Sequence, residues 1–127
     1  MRIYDLPVRS LDAFDSHGVL MDFLPPVADA RATSVSVARV SAGGTLGRHP
    51  AVRRQAFAVV AGTGEVQVDE DPRVPVGAGT LVVWETGETH QTWATTDLLA
   101  VVVETTGDLA LGDQFVERDR AAGGSEG

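Results

Sequence analysis

At 127 residues the chain is the size of one domain, long enough to bury roughly two-thirds of its unfolded surface without staples. It has no cysteine, which excludes disulfides, zinc fingers and thiol nucleophiles, and no lysine, which excludes Schiff-base chemistry on a side-chain amine. Eighteen acidic residues against ten arginines leave a net charge of −8 with no positive stripe, which argues against a nucleic-acid surface.

The first residues carry no apolar core of signal-peptide length, and no apolar run reaches the ~18 residues of a membrane span, so a cytoplasmic chain is expected. Residues 1–31 read as a loosely patterned arm. Arg2 to Leu6 is a candidate strand stopped by Pro7. Ser10 to Asp15 is a candidate helical turn with Ser10 as cap, and Val19 to Leu24 a candidate strand ended by Pro25-Pro26. His17 stands alone in a polar turn and is read as a surface residue.

From Thr33 to Val40 small polar and β-branched residues alternate, the pattern of a strand with one face inward. His49 follows a Gly-rich turn and precedes Pro50, so its strand is short or lies at an edge. Gln55, Phe57 and Val59 share one face of the next strand, so if Phe57 faces the core Gln55 does too. The turn Gly62-Thr63-Gly64 leads into Glu65–Asp69, with Val66 and Val68 inward. The carboxylates of Asp69, Glu70 and Asp71 form a solvated hairpin tip, since a calcium loop needs a different spacing. Arg48, Arg53 and Arg54 read as a solvated edge.

Further strands are expected at Arg73–Val76, Leu81–Trp84, His90–Trp93 and Leu98–Glu104. Residues 107–116 are expected to cover an edge. The stretch from Glu117 to Gly127 is rich in Gly and charge and is expected to be disordered. Seven to nine short strands, turns every eight to twelve residues and no long helix predict an all-β sandwich or barrel, with residues 32–106 as the barrel.

Two stretches carry the chemistry. In the first, Gly43 is followed by five residues and His49; Ala51 comes two later, Gln55 after three more residues, and Gly62 after a further six. In the second, Gly79 is followed by five residues and Glu85; Gly87, His90 and Ala94 come next, with three residues between the last two. These intervals resemble the two motifs of the cupin superfamily. In that family the positions of His49, Ala51, Gln55 and His90 are three histidines and a glutamate that hold a metal, the position of Glu85 is a proline, and that of Ala94 an asparagine. The resemblance covers roughly residues 33–104. It implies a double-stranded β-helix, or jelly-roll, barrel.

The resemblance also implies a site. His49, Gln55 and His90 would hold a divalent transition metal (iron, manganese, nickel or zinc), with alanine unable to ligate and glutamine offering a neutral carbonyl oxygen where the family has a carboxylate. Glu88, two residues before His90, is the candidate to supply the missing charge or to move a proton. The barrel interior is expected to be lined by Phe57, Val59, Val68, Thr92 and one of Trp84 or Trp93, and to take a small organic molecule. A lyase, isomerase or oxygenase step fits a metal-bound site. Without metal, His49 or His90 would act as general base, or the chain would be a ligand-binding or sensor module. A homodimer is expected, with the N-terminal strand added to the partner's sheet.

Overall fold

The computed structural model describes residues 1–10, 12–17, 20–28 and 32–120 of the chain. Eleven strands are present among them: β1 (Arg2–Asp5), β2 (Val8–Ser10), β3 (Leu20–Asp22), β4 (Ser34–Val40), β5 (Thr45–Pro50), β6 (Arg54–Ala61), β7 (Thr63–Val68), β8 (Val74–Gly77), β9 (Thr80–Trp84), β10 (Thr89–Ala94) and β11 (Leu98–Thr105). A five-stranded sheet runs β1-β9-β6-β11-β4 and a four-stranded sheet β5-β10-β7-β8, with every pairing antiparallel. β2 and β3 form a separate two-stranded ribbon. The all-β architecture expected from the strand pattern, and the jelly-roll barrel that the resemblance implies, are the observed fold.

Strand composition explains the layering. β6 is buried on both faces because Phe57 and Val59 point between the sheets while Ala56 and Ala58 point out of the barrel. Between the sheets, Phe57 and Val59 meet Val66, Val74, Val76, Val82, Trp84 and Val102. On the outer face, Ala56 and Ala58 pack with Tyr4, Leu6, Leu81, Val83 and Phe115. The Gly62 turn shows why a glycine is needed there: its φ is +86°, and a Cβ would lie 2.0 Å from the Asp97 carbonyl oxygen.

The arm and the tail differ from expectation. Asp12, not Ser10, precedes the short 3-10 turn Ala13–Asp15, and Ser10 belongs to β2. β1 pairs with β9 of its own chain, register Arg2↔Val83 to Asp5↔Thr80. Residues 107–116 lie mainly over a face: Leu109, Leu111 and Phe115 pack on the outer cluster, Phe115 edge-on to Tyr4 with ring centroids 6.3 Å apart. Glu117 bridges to Tyr4 and the Arg118 amide donates to the Ile3 carbonyl at 2.6 Å. The chain is therefore ordered past Glu117, because β1 offers it an open edge; residues 121–127 lie outside the described residues.

β4 also departs from the pattern. It is the last strand of its sheet, and Val35 and Val37 are 67% and 58% exposed. The C-terminal cover reaches Val101 and Val103 on β11, leaving the outward valines of β4 beyond it.

Candidate functional site: two imidazoles facing a row of three side chains

Strand pairing assembles the site. On the four-stranded sheet, β5 and β10 place His49 directly opposite His90, with ring centroids 4.5 Å apart. A register shift follows His90 on this pair, an irregularity that commonly re-aims a side chain next to a functional site. On the five-stranded sheet, Trp84, Gln55 and Glu104 occupy one row across β9, β6 and β11, since Gln55 pairs with both Trp84 and Glu104. The two groups line one cavity of about 190 Å³, together with Ala38, Leu46, Phe57, Thr92 and Val102. The structure thus brings His49, Gln55 and His90 to the same cavity, the placement that the resemblance implies.

The two histidines differ in environment. His49 sits on an exposed edge strand, and its Nδ1 lies 2.6 Å from the Gly47 carbonyl oxygen. A carbonyl can only accept, so Nδ1 carries a proton, and Nε2 is the nitrogen through which the ring would bind a metal or accept a hydrogen bond. His90 is 5% exposed and stacks on Trp84 with centroids 4.2 Å apart. Burial pushes the His90 imidazole down, the charge of His49 acts in the same direction and Glu88 opposes it, taking it from 6.5 to about 4. His90 is therefore neutral at pH 7, and its Nε2 is buried without a hydrogen-bond partner.

Glu88 is a correction. It does not line the cavity. One of its oxygens is paired with the Met1 amino group and the other accepts from the Glu85 amide at 2.7 Å. Its carboxylate therefore fastens the β9–β10 turn to the N-terminus and acts on His90 only as a nearby charge. Glu85, at the family's proline position, is likewise structural. Burial pushes its carboxyl up, but hydrogen bonds from Arg54 and Arg2, at 2.8 and 2.7 Å, outweigh this and hold it below the usual carboxylate range. Arg48 pairs with Glu70 and Arg53 with Glu104, so the three arginines are taken up in ion pairs.

Ala51 has its methyl group in the core between the sheets. Val59 and Val68 belong to the core rather than to the cavity wall, and Trp93 lies on the other side of its strand under the Arg73 guanidinium, 3.5 Å from the ring centroid. The residue that sequence reasoning missed is Glu104. The signal was there: Ala100, Val102 and Glu104 share one face of β11 by period-two alternation, so an inward Val102 carries Glu104 inward with it.

Among the described residues no three histidine, aspartate or glutamate side chains come close enough to share an ion. An ion here would rest on Nε2 of both imidazoles with the Gln55 amide oxygen as third donor. Two imidazoles, one of them with an orphaned buried nitrogen, fit a borderline transition metal, more weakly than a set containing a carboxylate. His17 is exposed, apart from this site.

The chain is similar to known proteins at two levels. A model of the cupin domain matches residues 36–106, more than half of the sequence. No curated protein matches. Among solved structures, an uncharacterised conserved protein with a double-stranded β-helix domain from Klebsiella pneumoniae superposes with a TM-score of 0.56 at 18% identity, over 76% of this chain and 84% of that one. DMSP lyase DddQ from Ruegeria pomeroyi gives 0.53 at 21% identity, over 64% and 44%. A variant of salicylate 1,2-dioxygenase from Pseudoaminobacter salicylatoxidans gives 0.54 at 18%, over 57% and 20%. The chain spans about two-thirds of several other similar structures and less than half of either enzyme. At these identities the likeness is one of fold. Among the described residues no helix is long and apolar enough to cross a membrane. With the two spaced motifs, the jelly-roll topology and the domain match in agreement, the chain belongs to the cupin family.

Proposed function

We propose that this cupin binds a small organic molecule in the cavity between its sheets and acts on it with a divalent transition metal held by His49, His90 and the Gln55 amide. The observation that carries this reading is the buried, unpartnered Nε2 of His90 beside the His49 imidazole, whose Nδ1 is engaged by the Gly47 carbonyl. A buried nitrogen without a partner costs about 1–3 kcal/mol, so an occupant is expected to satisfy it. The metal would polarise an oxygen of the bound molecule, which suits lyase, isomerase or oxygenase chemistry. The chain's own residues would orient that molecule: Phe57, Leu46 and Val102 supply apolar walls, and Gln55, Thr92 and Glu104 supply hydrogen-bonding groups.

Metal uptake tests the reading. Protein purified without chelator and given iron, manganese, nickel or zinc is expected to retain about one ion per chain. His49→Ala and His90→Ala are expected to abolish retention, because one imidazole and an amide hold an ion poorly. Gln55→Glu is expected to tighten binding by roughly tenfold or more, since it adds a full negative charge to the donor set. Its melting point should then rise more with metal than after chelation. Wild-type protein that takes up none of these metals would defeat the metal-dependent reading. The second reading, favoured by Ala51 and by the absence of a third ionisable ligand among the described residues, is a metal-free pocket in which His49 accepts a proton or a ligand hydrogen bond.

A homodimer remains our reading, with a different surface. β1 pairs with β9, while among the described residues β4 leaves a row of backbone groups and two outward valines uncovered at the other end. Antiparallel pairing of β4 with its copy would satisfy the backbone groups and set the valines of the two copies side by side. Light scattering is expected to return twice the mass of the chain at micromolar concentration, and a monomer there would rule the dimer out.

A further inference from the structure

Among the described residues that line the cavity, Glu104 supplies the carboxylate, and no lysine or arginine joins it there. Strand geometry turns its side chain inward. Ala100 and Val102, four and two residues earlier on β11, belong to the core between the sheets, while Val101 and Val103 pack on the outer cluster. Unlike those neighbours in the core, the Glu104 side chain keeps 33% of its surface exposed. The cavity is open on this side: Leu46 is 38% exposed and His49 sits on an exposed edge strand. A molecule entering the cavity therefore meets the Glu104 side chain.

The neighbouring Arg53 does not use up this carboxylate. Its guanidinium lies 3.8 Å from Glu104 Oε2, beyond hydrogen-bond length, and donates instead to the Ala32 carbonyl at 2.7 Å and to Ser34 Oγ at 3.3 Å. Both side chains are about a third exposed, so solvent screens much of the attraction between them. A carboxylate accepts and does not donate, so its complement carries N–H or O–H groups, and a positively charged donor makes the stronger bond. An anion would meet a like charge with no cation in the wall to offset it. The cavity is also small. Its 190 Å³ corresponds to roughly six water volumes of about 30 Å³ each, the scale of a compact molecule.

We infer that Glu104 makes this cavity selective for small molecules that carry a nitrogen cation, an ammonium or amidinium group whose N–H donates to the carboxylate. The inference rests on the cavity being the binding site and names the chemistry it recognises. It does not depend on a metal, because Glu104 stands on the five-stranded sheet and the imidazoles on the four-stranded one.

Acetamidinium, acetamide and acetate isolate the charge, being flat molecules of nearly one shape that are positive, neutral and negative. Binding is followed by NMR on protein labelled with ¹⁵N, with chelator present so that no metal ion competes for acetate. The amides of Leu46, Thr92 and Val102 report on the cavity. Those of Asp69, Glu70 and Asp71, an exposed acidic tip that does not line it, report on general attraction of a cation to a chain of net charge −8. Acetamidinium is expected to saturate the cavity shifts at about tenfold lower concentration than acetamide or acetate, the scale of one charge-assisted hydrogen bond, and before it saturates those of the tip. In Glu104→Gln, which keeps the shape of the side chain and removes its charge, that ratio is expected to fall towards one while the shifts at the tip persist. If the variant does not fold, the wild-type order decides alone. Acetamide or acetate filling the wild-type cavity as readily as acetamidinium, or an undiminished preference in Glu104→Gln, would overturn the role of Glu104 while leaving the binding site intact. None of the three probes perturbing a cavity residue would overturn both.

Discussion

Trp84→Ala is expected to destabilise the protein by about 3–5 kcal/mol, the largest single-residue effect anticipated here, read as a fall in the urea midpoint at unchanged slope. Trp84 is fully buried, contributes to the core between the sheets and packs on both Phe57 and His90. Truncation would leave a void that neighbours fixed in strands cannot fill. It would also open the site, since the ring that shields His90 forms part of the cavity wall. His49→Ala, on an exposed edge strand, is the comparison and is expected to stay within about 0.5 kcal/mol. A loss below about 1 kcal/mol for Trp84→Ala would mean that the barrel closes around the site without it.

Acidification from pH 7 to pH 4 is expected to cost metal-free protein about 3 kcal/mol through His90 alone. In the unfolded chain this imidazole titrates at its ordinary 6.5; in the folded protein burial and His49 hold it at about 4. Between those values the unfolded state binds the extra proton, so stability is fully present above 6.5 and drains away as the pH falls towards 4. Glu85, held below the usual carboxylate range by Arg54 and Arg2, adds to the loss only at the acid end. His90→Gln removes the titrating group and is expected to flatten the profile between pH 6.5 and 4. An equally steep profile in that variant would place the acid sensitivity elsewhere. Urea titrations at half-unit pH steps, with chelator present, read both.

The candidate site was partly legible from residue types and intervals. Gln55 followed Phe57 inward because alternate residues on a strand share a face, and His49 and His90 stood at positions whose spacing matched a known barrel. Glu104 obeyed the same alternation on β11. Its importance appears only when Gln55 is seen to pair with Glu104 on one side and Trp84 on the other, which is a matter of strand register. Glu88 misled because proximity in sequence placed it beside His90, while an amino group 87 residues away engages its carboxylate.

By itself the sequence determined what local chemistry can determine: no thiol or lysine chemistry, short alternating strands separated by glycine turns, and two histidines at barrel-motif intervals with two of the four usual ligand positions altered. The first two follow from side-chain identity and from the two-residue repeat of a strand, which need no knowledge of neighbours, while the last rests on the resemblance to the cupin motifs. Tertiary structure decided which strands are adjacent and where the open edges lie. It set β1 on β9, left β4 uncovered, held Glu117 and Arg118 against β1, and stacked Trp84 on His90 so that two polar atoms were buried without partners. Each of these depends on contacts between residues far apart in the chain, whose burial and register are set by the whole barrel closing at once and not by any local run of residues.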